Sequence, residues 1–416
     1  MCNRKTVTFW LLSFVGTWLG LLLIYGWREN PFMLEVYDYS ATTMLQGISP
    51  EKGAGWMAYP PPLIATYIPF VHFSVLAQKI AMLGLMSGII LFIFGTIQHK
   101  LVGERTSKSA VFFWVLLVLL VGRFIASPIE NFSNDILVAG LVFFAIRLWS
   151  EEKNISGSIA MGVAAALKAT PLLFLPYLIF RKSWKSFFVV LLASAAIFWL
   201  PDLFFPKESG TWGAYWISIV ANSLHNPSES GVVGSWSNWN HLNQSLSGTI
   251  ERLFTHPPVS NKEAVDVCIA SFSKEQLGLA IWLGRTTILL LIFAALWQAP
   301  KEDKRIQKFS ECALIICGML LLSPMSSKAH FFLLILPAAI IVRHYVWKNK
   351  DIWLTIIFVV VFLYGTMTVK DLIGTKAGHA VLATGSVTWC TLLIMLGVWR
   401  VLAVQESQSS FGSSRQ

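Results

Sequence analysis

From Phe9 to Trp27 the chain runs without one charged residue, apolar on every face of a helix, and similar runs recur along most of its length. A helix needs roughly 17 to 25 such residues to cross a hydrocarbon core about 30 Å thick, where every backbone amide must find its partner within the segment. A closed barrel would alternate polar and apolar residues over about ten positions. These runs do not alternate. The composition, 55% hydrophobic and 13% charged with a mean hydropathy of +0.62, agrees, since an ordinary soluble chain is about a quarter charged. The sequence therefore reads as an all-α, polytopic integral membrane protein.

The first run follows Arg4 and Lys5 as a signal peptide would, but it is long and no small-residue cleavage motif closes it, so it reads as the first span. Cys2, Cys268, Cys312, Cys317 and Cys390 show no CxxC spacing and no paired histidines, which points to neither zinc nor a disulfide framework. No metal-ligand cluster is visible, and no cofactor is implied.

Basic residues set the topology, because loops rich in Lys and Arg stay cytoplasmic. Clusters at Arg4–Lys5, Lys100–Lys108, Arg181–Lys185, Lys301–Lys308 and Arg343–Lys350 should all lie inside. By length, Gly157–Phe180 would be one crossing, yet one crossing would carry Arg181–Lys185 to the wrong side. It must fold back. Lys168 and Pro171 stand at its middle, where proline breaks a helix, so two short helices are expected to meet at Lys168-Ala169-Thr170-Pro171. About twelve membrane segments follow: 8–27, 74–98, 109–126, 132–149, 157–168, 171–181, 186–201, 276–297, 309–322, 330–347, 352–367 and 380–401. Both termini are then cytoplasmic. Two long loops, 28–73 and 202–275, fall on the outer side with the short connection Ser323–Ala329. Residues 1–401 form one transmembrane domain, and the Ser- and Gln-rich 402–416 reads as a disordered cytoplasmic tail.

No repeat relates the two halves, as an inverted-repeat transporter would often show. Glycine-rich phosphate loops are absent, and no soluble segment is long enough to hold a nucleotide. The net charge of +10 fits retention of cytoplasmic loops beside anionic membrane lipids, and no nucleic-acid motif is present.

Within the first outer loop Asp38 follows Val36-Tyr37 and precedes a stretch suited to a short helix at the membrane surface. An aspartate there is either a helix N-cap or a catalytic carboxylate. Tyr59-Pro60-Pro61-Pro62 forces a rigid, extended re-entry. The second outer loop holds His225-Asn226-Pro227 and Ser235–His241, mixing aromatic faces with amides. Sugar sites use this mixture, and membrane-interface anchoring uses the same tryptophans.

These elements resemble the polyprenol-phosphate-mannose-dependent alpha-mannosyltransferases of glycosyltransferase family 87, membrane enzymes of the GT-C superfamily. The matching pieces are Asp38 before a short helix, the YPP at Tyr59–Pro61, the Lys168-x-x-Pro171 hairpin, Asn243-Gln244-Ser245 with Arg252, and Ser323-Pro324 through His330 to Leu336-Pro337. Glu130-Asn131 stands where the family usually has Gly-Gln, and the tryptophan often found after the SP element is replaced near Ser327.

The resemblance implies a GT-C-like helical fold and inverting, metal-independent transfer of a hexose, mannose by analogy, from a polyprenyl-phosphate-sugar donor to a glycolipid or glycan acceptor outside the plasma membrane. Asp38 would be the base that takes the acceptor proton. His330 is the second candidate catalytic residue. Lys168, Arg252, Asn243, Gln244 and Tyr59 are candidates for the donor's phosphate and sugar. Blander readings stand beside these: Lys168 as a neutralised intramembrane charge, Arg252 as a cap or headgroup contact, His330 as a first-turn polar residue. Arg123, Glu130, Asp135 and Asp202 either pair among themselves or line the pocket. A glycolipid flippase or a non-catalytic assembly subunit is the alternative function.

Overall fold

The computed structural model describes residues 4–28, 32–48, 59–105, 107–225, 236–258, 264–298 and 304–413, all helix and connecting turns without a strand among them. The helices are α1 (Arg4–Tyr25), α2 (Phe32–Gln46), α3 (Pro61–Ala65), α4 (Val75–Ile97), α5 (Ser107–Glu130), α6 (Asp135–Ser150), α7 (Asn154–Leu167), α8 (Phe174–Phe180) and α9 (Trp184–Phe204). They continue with α10 (Trp212–His225), α11 (Leu246–Phe254), α12 (Lys274–Gln298), α13 (Lys304–Leu322), α14 (Ile335–Trp347), α15 (Ile352–Thr366), α16 (Lys370–Ile373), α17 (Thr375–Ala383) and α18 (Ser386–Ser413).

Among the described residues seven segments are long and apolar enough to cross a membrane: Thr8–Tyr25, Val75–Val102, Lys108–Glu130, Trp184–Phe204, Lys274–Trp297, Lys328–Trp347 and Ser386–Ala403. The five other expected segments coincide with helices that are shorter or more charged than a lone crossing needs. These are α6, α7, Thr170–Phe180, α15, and α13 with Lys304, Arg305, Lys308 and Glu311 in its first half. Packing explains why such helices form at all. Most of α6, α7 and α13 is buried inside the protein, so neighbouring helices do for them what lipid does for a lone span. Conversely Leu23, Leu203 and Trp297 are more than 70% exposed, and apolar surface on that scale on α1, α9 and α12 belongs against lipid tails.

The expected break at the middle of 157–180 is present. Helix α7 ends at Leu167, Lys168 is extended (φ −156°, ψ 121°), and a 3₁₀ turn over Thr170–Leu173 leads into α8. The chain also folds back, because Asn154 at the start of α7 and Lys182–Ser186 beyond the end of α8 line the same cleft. Next to it, Lys100, Arg181, Lys308 and Arg343, from four of the five basic clusters, line one cavity of 1060 Å³. Four of the five basic clusters thus gather around one cavity.

Helices α7 and α9 pack backbone against backbone at Gly162. A Cβ on Gly162 would stand 2.7 Å from Ala193 Cβ and 2.9 Å from the Val190 carbonyl oxygen, so only glycine lets these backbones meet. Gly162→Val is expected to force the pair apart and destabilise the protein by about 1–3 kcal/mol or more, read as a lower unfolding temperature in detergent. An unchanged midpoint would show that the pair tolerates the side chain.

At the other end, the loops expected outside pack on each other. Ala41, Met44, Ile64 and Trp212 form a small apolar core between α2, α3 and α10, and the Glu208 N–H donates to the Gly47 carbonyl at 3.0 Å. Gly47 has φ +69°, and a Cβ there would meet the Pro206 carbonyl oxygen at 2.7 Å, which glycine alone avoids. Asn226–Ser235 of the second loop and Cys2 lie outside the described residues. The backbone of α18 continues as helix to Ser413, into the segment that composition marks as disordered. Adding residues to an existing helix needs no new nucleus.

Candidate active site

Helix α2 begins at Phe32, six residues before Asp38, because Leu34, Tyr37, Ala41 and Met44 set one buried stripe at helical spacing. Asp38 is therefore inside the helix. The N-cap reading does not hold. Its half-buried carboxylate accepts from Gln78 Nε2 at 3.2 Å, an amide that also donates to the Phe70 and Phe73 carbonyls. The neighbouring Tyr37 stacks on Tyr67 (4.3 Å between centroids) and packs edge-on against Tyr59 (5.6 Å). Its hydroxyl accepts from the Asn134 backbone N–H at 3.1 Å. The YPPP re-entry thus places Tyr59 behind α2, and Tyr37 links α2 to the start of α6.

There the charges converge. Lys168 Nζ pairs with Asp135 Oδ1, His330 Nε2 reaches the same oxygen at 3.3 Å, and Ser133 Oγ donates to Asp135 Oδ2 at 2.7 Å. His330 Nδ1 accepts from the Ser327 backbone N–H at 2.8 Å. That bond leaves the imidazole proton on Nε2, facing the carboxylate, so this is the neutral tautomer. Asp135, Lys168 and His330 line a cavity of 10 Å³, enough for about one water. Asp38 is not among its lining residues. Beside it the carboxamide of Asn134 is buried with neither its oxygen nor its nitrogen bonded, an uncommon state for a polar group.

Asn243, Gln244 and Arg252 occupy a different position. Asn243 Oδ1 accepts from the Ser245 and Ser326 N–H groups at 3.1 and 3.3 Å, and the Gln244 N–H donates to the Ser326 carbonyl at 2.6 Å. Gln244 Nε2 donates to the His241 and Leu382 carbonyls at 2.6 and 2.7 Å. Arg252 donates to the carbonyls of Ala383, Asn238 and Asn240 at 2.8, 2.6 and 3.2 Å. These three tie the second loop to the 323–329 connection and to the start of α18. They hold the loop that carries His330 and do not converge on Asp135.

Of the other charges, Arg123 pairs with Glu130 at 2.9 Å, and Asp202 accepts from the Trp212 and Gly213 N–H groups at 2.6 and 3.2 Å, capping α10. Only Asp135 joins the site. The sequence does carry a trace of it: Ser133-Asn134-Asp135 directly before an apolar run is a polar cluster at a helix start.

His241 stacks on His379 with 4.0 Å between centroids. Burial, then the His379 charge, lowers its pKa from 6.5 to about 4. The unfolded chain therefore binds the proton that the folded one refuses between about pH 6.5 and 4, and folding stability falls as pH drops through that window. His241→Gln is expected to lose less thermal stability than the native chain between pH 7.5 and 5. Equal losses would place the acid-sensitive group elsewhere.

The model of glycosyltransferase family 87 matches residues 56–324, well over half of the chain. The chain belongs to glycosyltransferase family 87. This makes it a membrane glycosyltransferase. The family match spans Tyr59, Asp135, Lys168, Asn243, Gln244 and Arg252, while Asp38 and His330 lie outside it. A curated relative of this family 87 chain is the polyprenol-phosphate-mannose-dependent alpha-(1-2)-phosphatidylinositol mannoside mannosyltransferase of Mycobacterium tuberculosis (strain ATCC 25618 / H37Rv). It is 22% identical over 95% of this chain and 88% of its own length. No solved structure matches.

Proposed function

We propose that this enzyme transfers mannose from a polyprenyl-phosphate-mannose donor to a glycolipid acceptor at the outer face of the membrane, with inversion and without a metal. The observation that carries the reading is the convergence of Lys168 and His330 on one oxyanion, Asp135 Oδ1. A leaving phosphate asks for the same donors, since its charge must be held in a low-dielectric site. Lys168 has three N–H donors, and its side chain is 17% exposed, which leaves it reachable by a headgroup. Asp135 fixes the direction of both donors, the Lys168 ammonium and the neutral His330 Nε2–H. The unbonded Asn134 carboxamide offers a donor and an acceptor to a sugar hydroxyl.

Asp38 is the base in this reading. Attack on the anomeric carbon needs an ionised carboxylate to take the acceptor hydroxyl proton. Asp38 is half-buried and holds one hydrogen bond, whereas Asp135 is committed to three partners. Asn243, Gln244 and Arg252 act as positioning residues, through the loop that carries His330. The relative's polyprenol-phosphate-mannose donor supports the donor class by analogy, and the chain's family membership weighs against the flippase and assembly-subunit readings.

The test is transfer by the purified protein in detergent. Radiolabelled mannose should move from polyprenyl-phosphate-mannose to a glycolipid acceptor, and excess EDTA should leave the rate unchanged. Transfer that requires a nucleotide-mannose donor, or that stops with EDTA, would contradict the proposal.

A further inference from the structure

Helices α7 and α9 both start at the basic end of the bundle and run side by side, with Gly162, eight residues into α7, against Val190–Ser194 of α9. They are parallel and nearly in register. This sets two positive dipole ends together, each equivalent to roughly +0.5 charge. Neither N-terminus is capped by a side chain, since the Lys153 and Ser183 cap positions make no side-chain cap bond. The Asn154 N–H turns back to the Glu152 carbonyl at 2.9 Å, and the Ile155 and Ser156 amides of α7 and the first-turn amides of α9 are left for an external acceptor.

A cleft of 780 Å³ opens between these ends, lined by Lys153, Lys182, Lys185 and the serines Ser156, Ser183 and Ser186. It shares Glu152, Asn154, Ser183 and Ser186 with the 1060 Å³ basic cavity beside it. Together their linings hold nine Lys and Arg residues against the acidic Glu152 and Glu311, so the space is strongly cationic. Ser186 gives an independent sign of a ligand. It is 6% exposed, lines both spaces, and its hydroxyl makes no hydrogen bond.

The cleft is also amphipathic. Ile155 and Trp184 at its edge are 59% and 52% exposed, and Ile159, Phe188 and Leu192 continue the apolar surface along the two helices. A free anion has no use for that surface, whereas acyl chains do.

We propose that the cleft between the N-termini of α7 and α9 binds the phosphate headgroup of an anionic membrane lipid. The phosphate sits on the first-turn amides and Ser186, Lys182 and Lys185 neutralise it, and the acyl chains lie along Ile155, Ile159 and Phe188. The site is separate from the donor site, which lies at the far end of α7, about 20 Å away at 1.5 Å per residue.

The test uses the full chain in neutral detergent, titrated with phosphatidylglycerol, phosphatidylcholine or inorganic phosphate. Unfolding temperature and lipid retained in native mass spectrometry are the readouts. Phosphatidylglycerol should raise the midpoint saturably and phosphatidylcholine should not. Lys182→Gln/Lys185→Gln should weaken phosphatidylglycerol binding tenfold or more, and Ser186→Ala, which removes one oxygen and keeps the test open if the double variant misfolds, several-fold. Lys348→Gln/Lys350→Gln, at exposed positions outside both linings, should leave binding unchanged. Equal stabilisation by both lipids, equal weakening by both double variants, or the full effect from inorganic phosphate alone would each overturn the proposal.

Discussion

Asp38→Asn is expected to lower turnover by about 100-fold or more while leaving the fold and donor binding intact. The position makes the substitution informative. Asp38 lies inside α2, so it does no capping, and its one hydrogen bond is accepted from Gln78 Nε2. Asparagine keeps an oxygen there to accept the same bond, so the Gln78 clamp on Phe70 and Phe73 persists. What the amide cannot do is take a proton. Unfolding temperature and donor affinity near those of the native chain, with turnover lost, isolate the base. Near-native turnover would remove Asp38 from the chemistry.

Lys168→Met is expected to have the second large effect, on both folding and activity. Asp135 is buried, and without the ammonium it keeps only the neutral His330 and the Ser133 hydroxyl. Removing one partner of a buried ion pair destabilises by about 3–5 kcal/mol, because the remaining charge is left in low dielectric. Loss of a donor to the leaving phosphate should further lower turnover by about 100-fold or more. The two losses separate in the double variant Lys168→Met/Asp135→Asn. With no buried charge left over, it should recover most of the stability and none of the activity, as measured by thermal unfolding and mannose transfer. Recovered activity would make the pair purely structural.

Much of this architecture is legible from the chain because membrane crossing imposes length and apolarity, which can be counted. The hairpin at Lys168 and Pro171 follows from one proline and from the side on which Arg181–Lys185 must lie. Partners are harder to read. Arg252 and Gln244 carry the residue types of a phosphate or sugar site, yet their donors meet the carbonyls of Ala383, Asn238, Asn240, His241 and Leu382. The contacts to Ala383 and Leu382 span more than a hundred residues and leave no local pattern. Asp135 was obscured for the opposite reason, since an acidic residue in a helix's first turn is ordinary, and only the fold brings Lys168 and His330 to it. For Asp38, the helical spacing of Leu34, Tyr37, Ala41 and Met44 is itself present in the sequence and starts before Asp38, which places Asp38 inside a helix.

The most direct measurement is a structure of the full chain with polyprenyl-phosphate-mannose bound. The account predicts phosphate oxygens within hydrogen-bonding distance of Lys168 Nζ and His330 Nε2, with the anomeric carbon turned toward Asp38 across a gap one acceptor hydroxyl can bridge. A phosphate seated instead on Arg252 and the 238–240 loop, with Lys168 and His330 still engaged only with Asp135, would contradict it.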